Sequence, residues 1–185
     1  AQFSQLLSSM AKGSDGSPMP YTYAVIAMDD PGTSVYCLTE LQRFLSESDP
    51  NGANVPVMLR MDSDTVKGRD GHGEILARFS REKVPFLIGT QMITKGHDFP
   101  GVTLVAIIDA DGQINQPEFD AEERAFQIFT QVSGRAGRGE KAGKVLIQTY
   151  SPEDPAVKCC VSGDYGAFYK GELAFREQLY YPPFC

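Results

Sequence analysis

Apolar residues along this chain follow two rhythms that take turns. Val84–Ile88 (VPFLI) and Val102–Ile108 (VTLVAII) are continuous apolar runs, the pattern of strands covered by helices on both faces. Tyr21–Met28 (YTYAVIAM), VPVMLRM at 55–61 and KVLIQTY at 144–150 predict three further strands. Between the strands the spacing becomes helical. Leu38, Leu41 and Leu45 mark a helix over Ser34–Ser46, and Ile75, Leu76 and Phe79 mark one over Gly73–Glu82. Ala125, Ile128, Phe129 and Val132 form the apolar stripe of a third helix, Ala121–Ser133. Such alternation of strand and helix predicts an α/β fold with a parallel sheet flanked by helices.

Both ends of the chain depart from this alternation. A short helix is read at Gln2–Lys12, then a loop at Gly13–Pro20 (GSDGSPMP), so residues 1–20 are expected to be flexible or irregular. The alternating lobe covers 21–150, and 151–185 is a helical extension with helices at Asp154–Val161 and Tyr165–Leu179. Pro182 and Pro183 stop the second of these.

Composition narrows the picture modestly. With 185 residues, 42% of them hydrophobic, the chain can bury one core. A net charge of −7 argues against a surface that coats nucleic acid throughout, because phosphate neutralisation needs clustered Lys and Arg, but it leaves room for a local basic strip. There is no apolar run of 18 residues, and AQFSQLLSSMAKGSDG lacks the basic start of a signal peptide. The expectation is a soluble, cytoplasmic protein without membrane contact. Cys37, Cys159, Cys160 and Cys185 include no C-x-x-C spacing, so neither a zinc knuckle nor a disulfide framework is expected, and no residue is assigned to a metal.

Two segments carry candidate chemistry. QVSGRAGRG, Gln131–Gly139, lies where a helix ends and a glycine-rich loop begins. Arg135 and Arg138 would sit about one turn apart if the helix persisted, and two planar guanidiniums could then reach one anion. An arginine finger acts in this way on a γ-phosphate in transit. The same residues also read as a helix C-cap, with left-handed glycines and arginines complementing the helix dipole. The second segment, GTQMITKGHDFP at Gly89–Pro100, leaves a buried strand at the end where open parallel sheets bind ligands. Asp98 also reads as a solvated turn residue and His97 as an exposed loop imidazole, while Lys95 could meet phosphate or solvent.

The pattern Q-x-x-G-R-x-G-R resembles the sixth signature motif of superfamily 2 helicases, which implies that Gln131, Gly134, Arg135 and Arg138 face ATP. GTQMITKGHDFP resembles the fifth motif. That resemblance implies a DNA side formed by Thr90, Gln91 and Lys95 and an ATP side formed by Gly96 and Asp98. Together with DYGAFYKGELAFREQLYYPPF, which lies outside the shared motor motifs, these segments are similar to the PriA family of primosomal replication-restart DNA helicases over about Pro31–Phe184. RMDSDT, Arg60–Thr65, also looks like that family; Arg60 and Asp62 could equally only cap the segment that follows.

The resemblance implies a RecA-like C-terminal motor lobe whose extension leads to a C-terminal domain outside this sequence. It implies ATP and Mg²⁺ as cofactors of the intact protein. It also implies 3′-to-5′ unwinding, single-stranded and forked DNA as substrates, and a preceding helicase lobe of the same polypeptide as partner. Primosome proteins and single-stranded DNA-binding protein are further implied partners. A phosphate loop G-x-x-x-x-G-K-[ST] and a D-E-x-H box are absent here: Gly143-Lys144 is followed by Val145, and Asp120–Glu123 opens a helix. The isolated chain is therefore expected to be inactive. The family carries a zinc-binding, cysteine-rich insertion ahead of PGTSVYCLTEL, and its ligands are absent from this sequence, which begins after that insertion or belongs to a homologue without it. Two alternatives remain open, the second lobe of another superfamily 2 member such as a branch-migrating fork helicase, or a non-catalytic nucleic-acid or protein interaction module.

Overall fold

The computed structural model describes residues 22–27, 31–48, 57–63, 65, 71–90, 102–137 and 143–185. Five strands, β1 (Thr22–Ala27), β2 (Met58–Met61), β3 (Phe86–Gly89), β4 (Val102–Ile108) and β5 (Lys144–Ile147), form one sheet in the order β2-β3-β1-β4-β5. Every pairing is parallel. Among the described residues the helices are α1 (Pro31–Ser48), α2 (Gly71–Arg81), α3 (Ala110–Ile114), α4 (Ala121–Ser133), α5 (Pro155–Ser162) and α6 (Tyr165–Gln178). The expected α/β class with a parallel sheet between helices is what the chain adopts.

The direction in which each crossover moves explains the layers. From β1 the chain passes outward across β3 to β2, then returns to β3, and right-handed crossovers moving in opposite senses put α1 and α2 on opposite faces. Side-chain alternation follows suit. Leu59, Met61, Leu87, Val105 and Ile107 belong to one core cluster with Leu76 and Phe79 of α2 and Ala125, Phe126, Phe129 and Val132 of α4. Leu59 pairs with Leu87, and Val105 with Val145, so these side chains line up across the sheet. Phe86, Ile88, Leu104, Ala106 and Ile108 alternate with them and are buried outside that cluster, where α1 packs with Cys37 and Leu41. All residues of β3 and β4 are buried, as their continuous apolar runs require.

The helices of the 151–185 region share this core. Ala156 and Val157 of α5 and Phe168 of α6 join the cluster, and Phe168 stacks on Phe126 of α4 at 4.1 Å between ring centroids. Asp154 caps α5 by accepting the Ala156 N–H, and Asp164 caps α6 through Ala167. Gly163 between them has φ +70°, the left-handed turn that lets one helix end and the next begin.

Several boundaries differ from expectation for local reasons. α1 begins at Pro31 rather than Ser34, because proline is well suited to a helix's first turn, where its missing N–H costs nothing. β3 begins at Phe86 rather than Val84: Lys83 is left-handed (φ 50°) and Val84 donates to the Phe79 carbonyl at the end of α2. β5 stops at Ile147, short of Tyr150, where Asp111 takes over, accepting the Thr149 hydroxyl at 3.0 Å and the Tyr150 N–H at 2.9 Å. α3 has no counterpart in the sequence reading; five residues are too few to establish a period. The Gln2–Lys12 helix, the Gly13–Pro20 loop and Leu45's place in the first helical stripe lie outside the described residues.

Candidate nucleotide and nucleic-acid sites at the two edges of the sheet

The parallel sheet has an edge of strand starts and an edge of strand ends, and the two candidate segments occupy different ones. Thr90 directly follows β3, and its N–H donates to the Met61 carbonyl at 3.3 Å, one bond beyond the last paired residues Met61 and Gly89. It is buried, with 8% of its surface exposed. This is the carboxyl edge, where open parallel sheets hold ligands. Gln91, Lys95, Gly96, His97 and Asp98 lie outside the described residues.

Arg135 lies at the opposite edge. α4 runs back against the strands, and the turn that follows it is tied to the start of β4, with the Gly137 N–H donating to the Val102 carbonyl at 3.0 Å. Gly89 aligns through Ile26 of β1 with Ile107 of β4. The two candidate patches are therefore separated by about five residues of strand, on the order of 17 Å. The carboxyl-edge rule covers Thr90 and not Arg135.

Helix α4 does not persist through the arginine segment. It ends at Ser133, Gly134 caps it, and the Arg135 and Ala136 N–H groups donate to Val132 and Ser133, three residues back. A left-handed Gly137 (φ 74°) then diverts the chain. The condition for a one-turn separation of the two arginines, that the helix persists, is not met at Arg135; Arg138 itself lies outside the described residues. The tightened turn still groups Gln131 and Gly134, both exposed, with a half-buried Arg135. Gly143 closes the other end. A Cβ there would lie 2.3 Å from the Gly137 nitrogen, so only glycine lets the chain return across the Ala136–Gly137 peptide. Gly137 and Gly143, which flank residues 138–142, thus lie against each other, and Gly137 is tied to β4 by its bond to Val102.

Beside Thr90 stands a polar network whose composition the sequence displayed but whose geometry it did not. Asp62 is fully buried and ion-pairs through its carboxylate with Nε of Arg60. The same carboxylate accepts the Thr65 N–H at 3.0 Å and the Thr65 hydroxyl at 3.1 Å, while the Asp62 N–H donates to the Thr65 hydroxyl oxygen at 2.9 Å. Burial pushes the Asp62 carboxyl upward, but the hydrogen bonds from Arg60 and Thr65 outweigh it and hold it below the usual carboxylate range. The usable signal was an Asp three residues ahead of a Thr, the spacing of a self-bonded turn.

The apparent nucleotide-binding decoys are explained by position. Lys144 opens β5, and Asp120 precedes the first turn of α4, where its carboxylate pairs with Arg124 at 2.7 Å. All four cysteines are free: Cys37 is buried, Cys159 and Cys160 are half-buried on α5, and Cys185 is exposed. Burial, with Asp109 adding to it, pushes the Cys37 thiol up to about 11, which makes it inert near neutrality. Among the described residues no His, Cys, Asp and Glu group is arranged to hold a metal ion, and these cysteines do not fit a zinc cluster.

Residues 35–140 match the helicase conserved C-terminal domain family, more than half of the chain and a span that includes both candidate segments. The chain belongs to this helicase family. The helicase domain is 46% identical to Replication restart protein PriA of Bacillus subtilis, over 69% of this chain and 16% of that protein. It is 45% identical to the Synechocystis protein of the same name, over 68% of this chain and 15% of that protein. The chain thus spans about one sixth of these relatives. Solved structures share its fold at low identity. The C-terminal domain of the DEAD-box protein Dbp5 aligns with a TM-score of 0.55 and 15% identity, covering 89% of this chain and 78% of that one. The Mycobacterium smegmatis helicase Lhr, bound to single-stranded DNA and AMP-PNP, gives 0.55 and 12% identity, covering 90% of this chain and 18% of that one. The RecA-like C-terminal helicase lobe is the fold of this chain, and its similarity to PriA distinguishes it within that fold.

Proposed function

We propose that this helicase domain is the second motor lobe of an ATP-dependent 3′-to-5′ DNA helicase that acts in replication restart and primosome assembly in the cytoplasm. Thr90 at its carboxyl edge, together with Gln91 and Lys95, faces DNA. Gln131, Gly134 and Arg135 at the opposite edge, together with Arg138, Gly96 and Asp98, face ATP. The observation that carries this reading is the tight turn after α4, which gathers Gln131, Gly134 and Arg135 and is pinned to Val102. Guanidinium groups held by a fixed backbone suit the charge that develops during phosphoryl transfer, and planar multidentate donors do this better than lysine. ATP with Mg²⁺ would supply the transferred phosphoryl group; these residues would orient and neutralise it.

The other half of the nucleotide site then comes from a preceding lobe of the same polypeptide, since this sequence contains neither a phosphate loop nor a D-E-x-H box. Residues 21–150 form the motor lobe in this reading, residues 1–20 a segment ahead of it and residues 151–185 an extension towards a further domain. Single-stranded and forked DNA are the substrates, with primosome proteins and single-stranded DNA-binding protein as partners. Similarity to PriA supports this assignment. No helix among the described residues is long and apolar enough to cross a membrane.

The test compares the isolated chain with the longer polypeptide that carries it. The longer protein should hydrolyse ATP with stimulation by single-stranded DNA and displace a strand from a 3′-tailed but not a 5′-tailed duplex. The isolated chain should show no magnesium-dependent hydrolysis above background. Turnover by the isolated chain, or displacement only from the 5′-tailed substrate, contradicts the assignment.

A further inference from the structure

The Asp62 network is more elaborate than a strand end requires. A buried ion pair is poor value for stability alone, because well-packed apolar side chains of similar volume usually serve as well or better. What a fully bonded polar network adds is a single fixed geometry. Here the geometry fixed is that of the carboxyl edge. Asp62 and Thr65 exchange hydrogen bonds in both directions, Arg60 neutralises the carboxylate, and Met61, the residue between Arg60 and Asp62, gives its carbonyl to the Thr90 N–H. Ser63 and Thr65 are exposed on the turn so formed. The Thr65 N–H and hydroxyl are committed to Asp62 and the Thr90 N–H to Met61, so these groups set the shape of the edge, and a fixed shape is what suits a sugar-phosphate backbone, whose contacts position without reading sequence.

We propose that Asp62 and Thr65 are positioning residues for nucleic acid: they hold each other in place and, through the Met61 carbonyl, the backbone of Thr90, so that this edge presents one fixed surface to a single strand's phosphates. The inference rests on the reading of Thr90 as DNA-facing. Asp62 is enclosed and acts through its neighbours. Thr65 links the carboxylate to the exposed face of the turn.

The test uses the longer, DNA-stimulated protein and the variants Thr65→Val, Thr65→Ser, Asp62→Asn and Thr90→Val. For each, oligo(dT) is titrated to give the concentration for half-maximal ATPase stimulation, alongside the KM for ATP and the melting temperature. Thr65→Val keeps the shape of the side chain but loses the hydroxyl's hydrogen bonds with Asp62, and Asp62→Asn removes the charge facing Arg60. Both should raise the half-saturating oligo(dT) concentration about tenfold, with the KM for ATP within about twofold of the parent. Thr65→Ser restores the hydroxyl and should restore the parent value. An unchanged oligo(dT) requirement in Thr65→Val, beside a raised one in Thr90→Val, overturns the inference and leaves the DNA role of Thr90 standing. No change in any variant overturns both. A rise in both the oligo(dT) requirement and the KM for ATP that Thr65→Ser does not rescue, together with a lowered melting temperature, makes the turn merely structural and overturns the inference.

Discussion

Two arginine–carboxylate clusters stabilise this lobe, and they differ in what encloses the charge and in how far apart along the chain the partners lie. At the carboxyl edge the carboxylate is enclosed: the Asp62 side chain is 0% exposed, Arg60 19%, and the partners lie within residues 60–65. Between the helices the guanidinium is enclosed. Arg176 of α6 pairs with Glu172 at 2.7 Å and with Glu123 of α4 at 2.6 Å, donates to the Pro182 carbonyl at 3.3 Å and lies 5.1 Å from the Phe119 ring centre. Its partners are thus drawn from three stretches of the chain. A local cluster shapes one turn; a long-range cluster ties α4, α6 and the C-terminal residues into one body. Loss of Arg176 should therefore be a stability lesion, and loss of the Asp62 charge chiefly a lesion of the edge beside Thr90.

The largest expected effect breaks the long-range cluster. Arg176→Ala leaves Glu172, whose side chain is 10% exposed, without its main counter-charge, and should cost about 3 kcal/mol of unfolding free energy by denaturant titration. A loss below 1 kcal/mol would mean that solvent screens this cluster and that the contrast with Asp62 is false.

A smaller effect is expected in the pH dependence at the other cluster. The folded Asp62 carboxyl is held below its ordinary value, so its contribution to stability is present above the unfolded range of about 4 and disappears as pH falls through the folded value. The stability difference between the parent and Asp62→Asn should stay level from about pH 7 to pH 5 and shrink below about pH 4. A difference that widens on acidification would reverse the sign and remove Arg60 as the stabilising partner.

These clusters also mark where the sequence was readable. β4 and α4 match their expected limits residue for residue, because a seven-residue run that is apolar except for Thr103 and a four-residue stripe leave little choice of structure. β5 was overextended because its end is set by Asp111, 38 residues from Thr149 along the chain, and no local pattern carries that contact. The residues of the arginine turn were legible as a motif. Their backbone is legible only in part: the end of α4 at Ser133 matches the expected limit, whereas the return of Gly143 across the Ala136–Gly137 peptide depends on a tertiary approach. The separation of the Thr90 and Arg135 patches follows only from strand order and register. RMDSDT was visible as a string, but its link to Thr90 requires β2 and β3 to be neighbours.

In the proposed motor, the turn after α4 delivers arginine to a nucleotide completed by another lobe. The most direct measurement is DNA-stimulated ATP turnover by the longer polypeptide carrying Arg138→Ala, with Arg135→Ala alongside. Turnover by Arg138→Ala should fall by about a thousandfold or more, with folding retained. Turnover equal to that of the parent in a folded Arg138→Ala protein would contradict it.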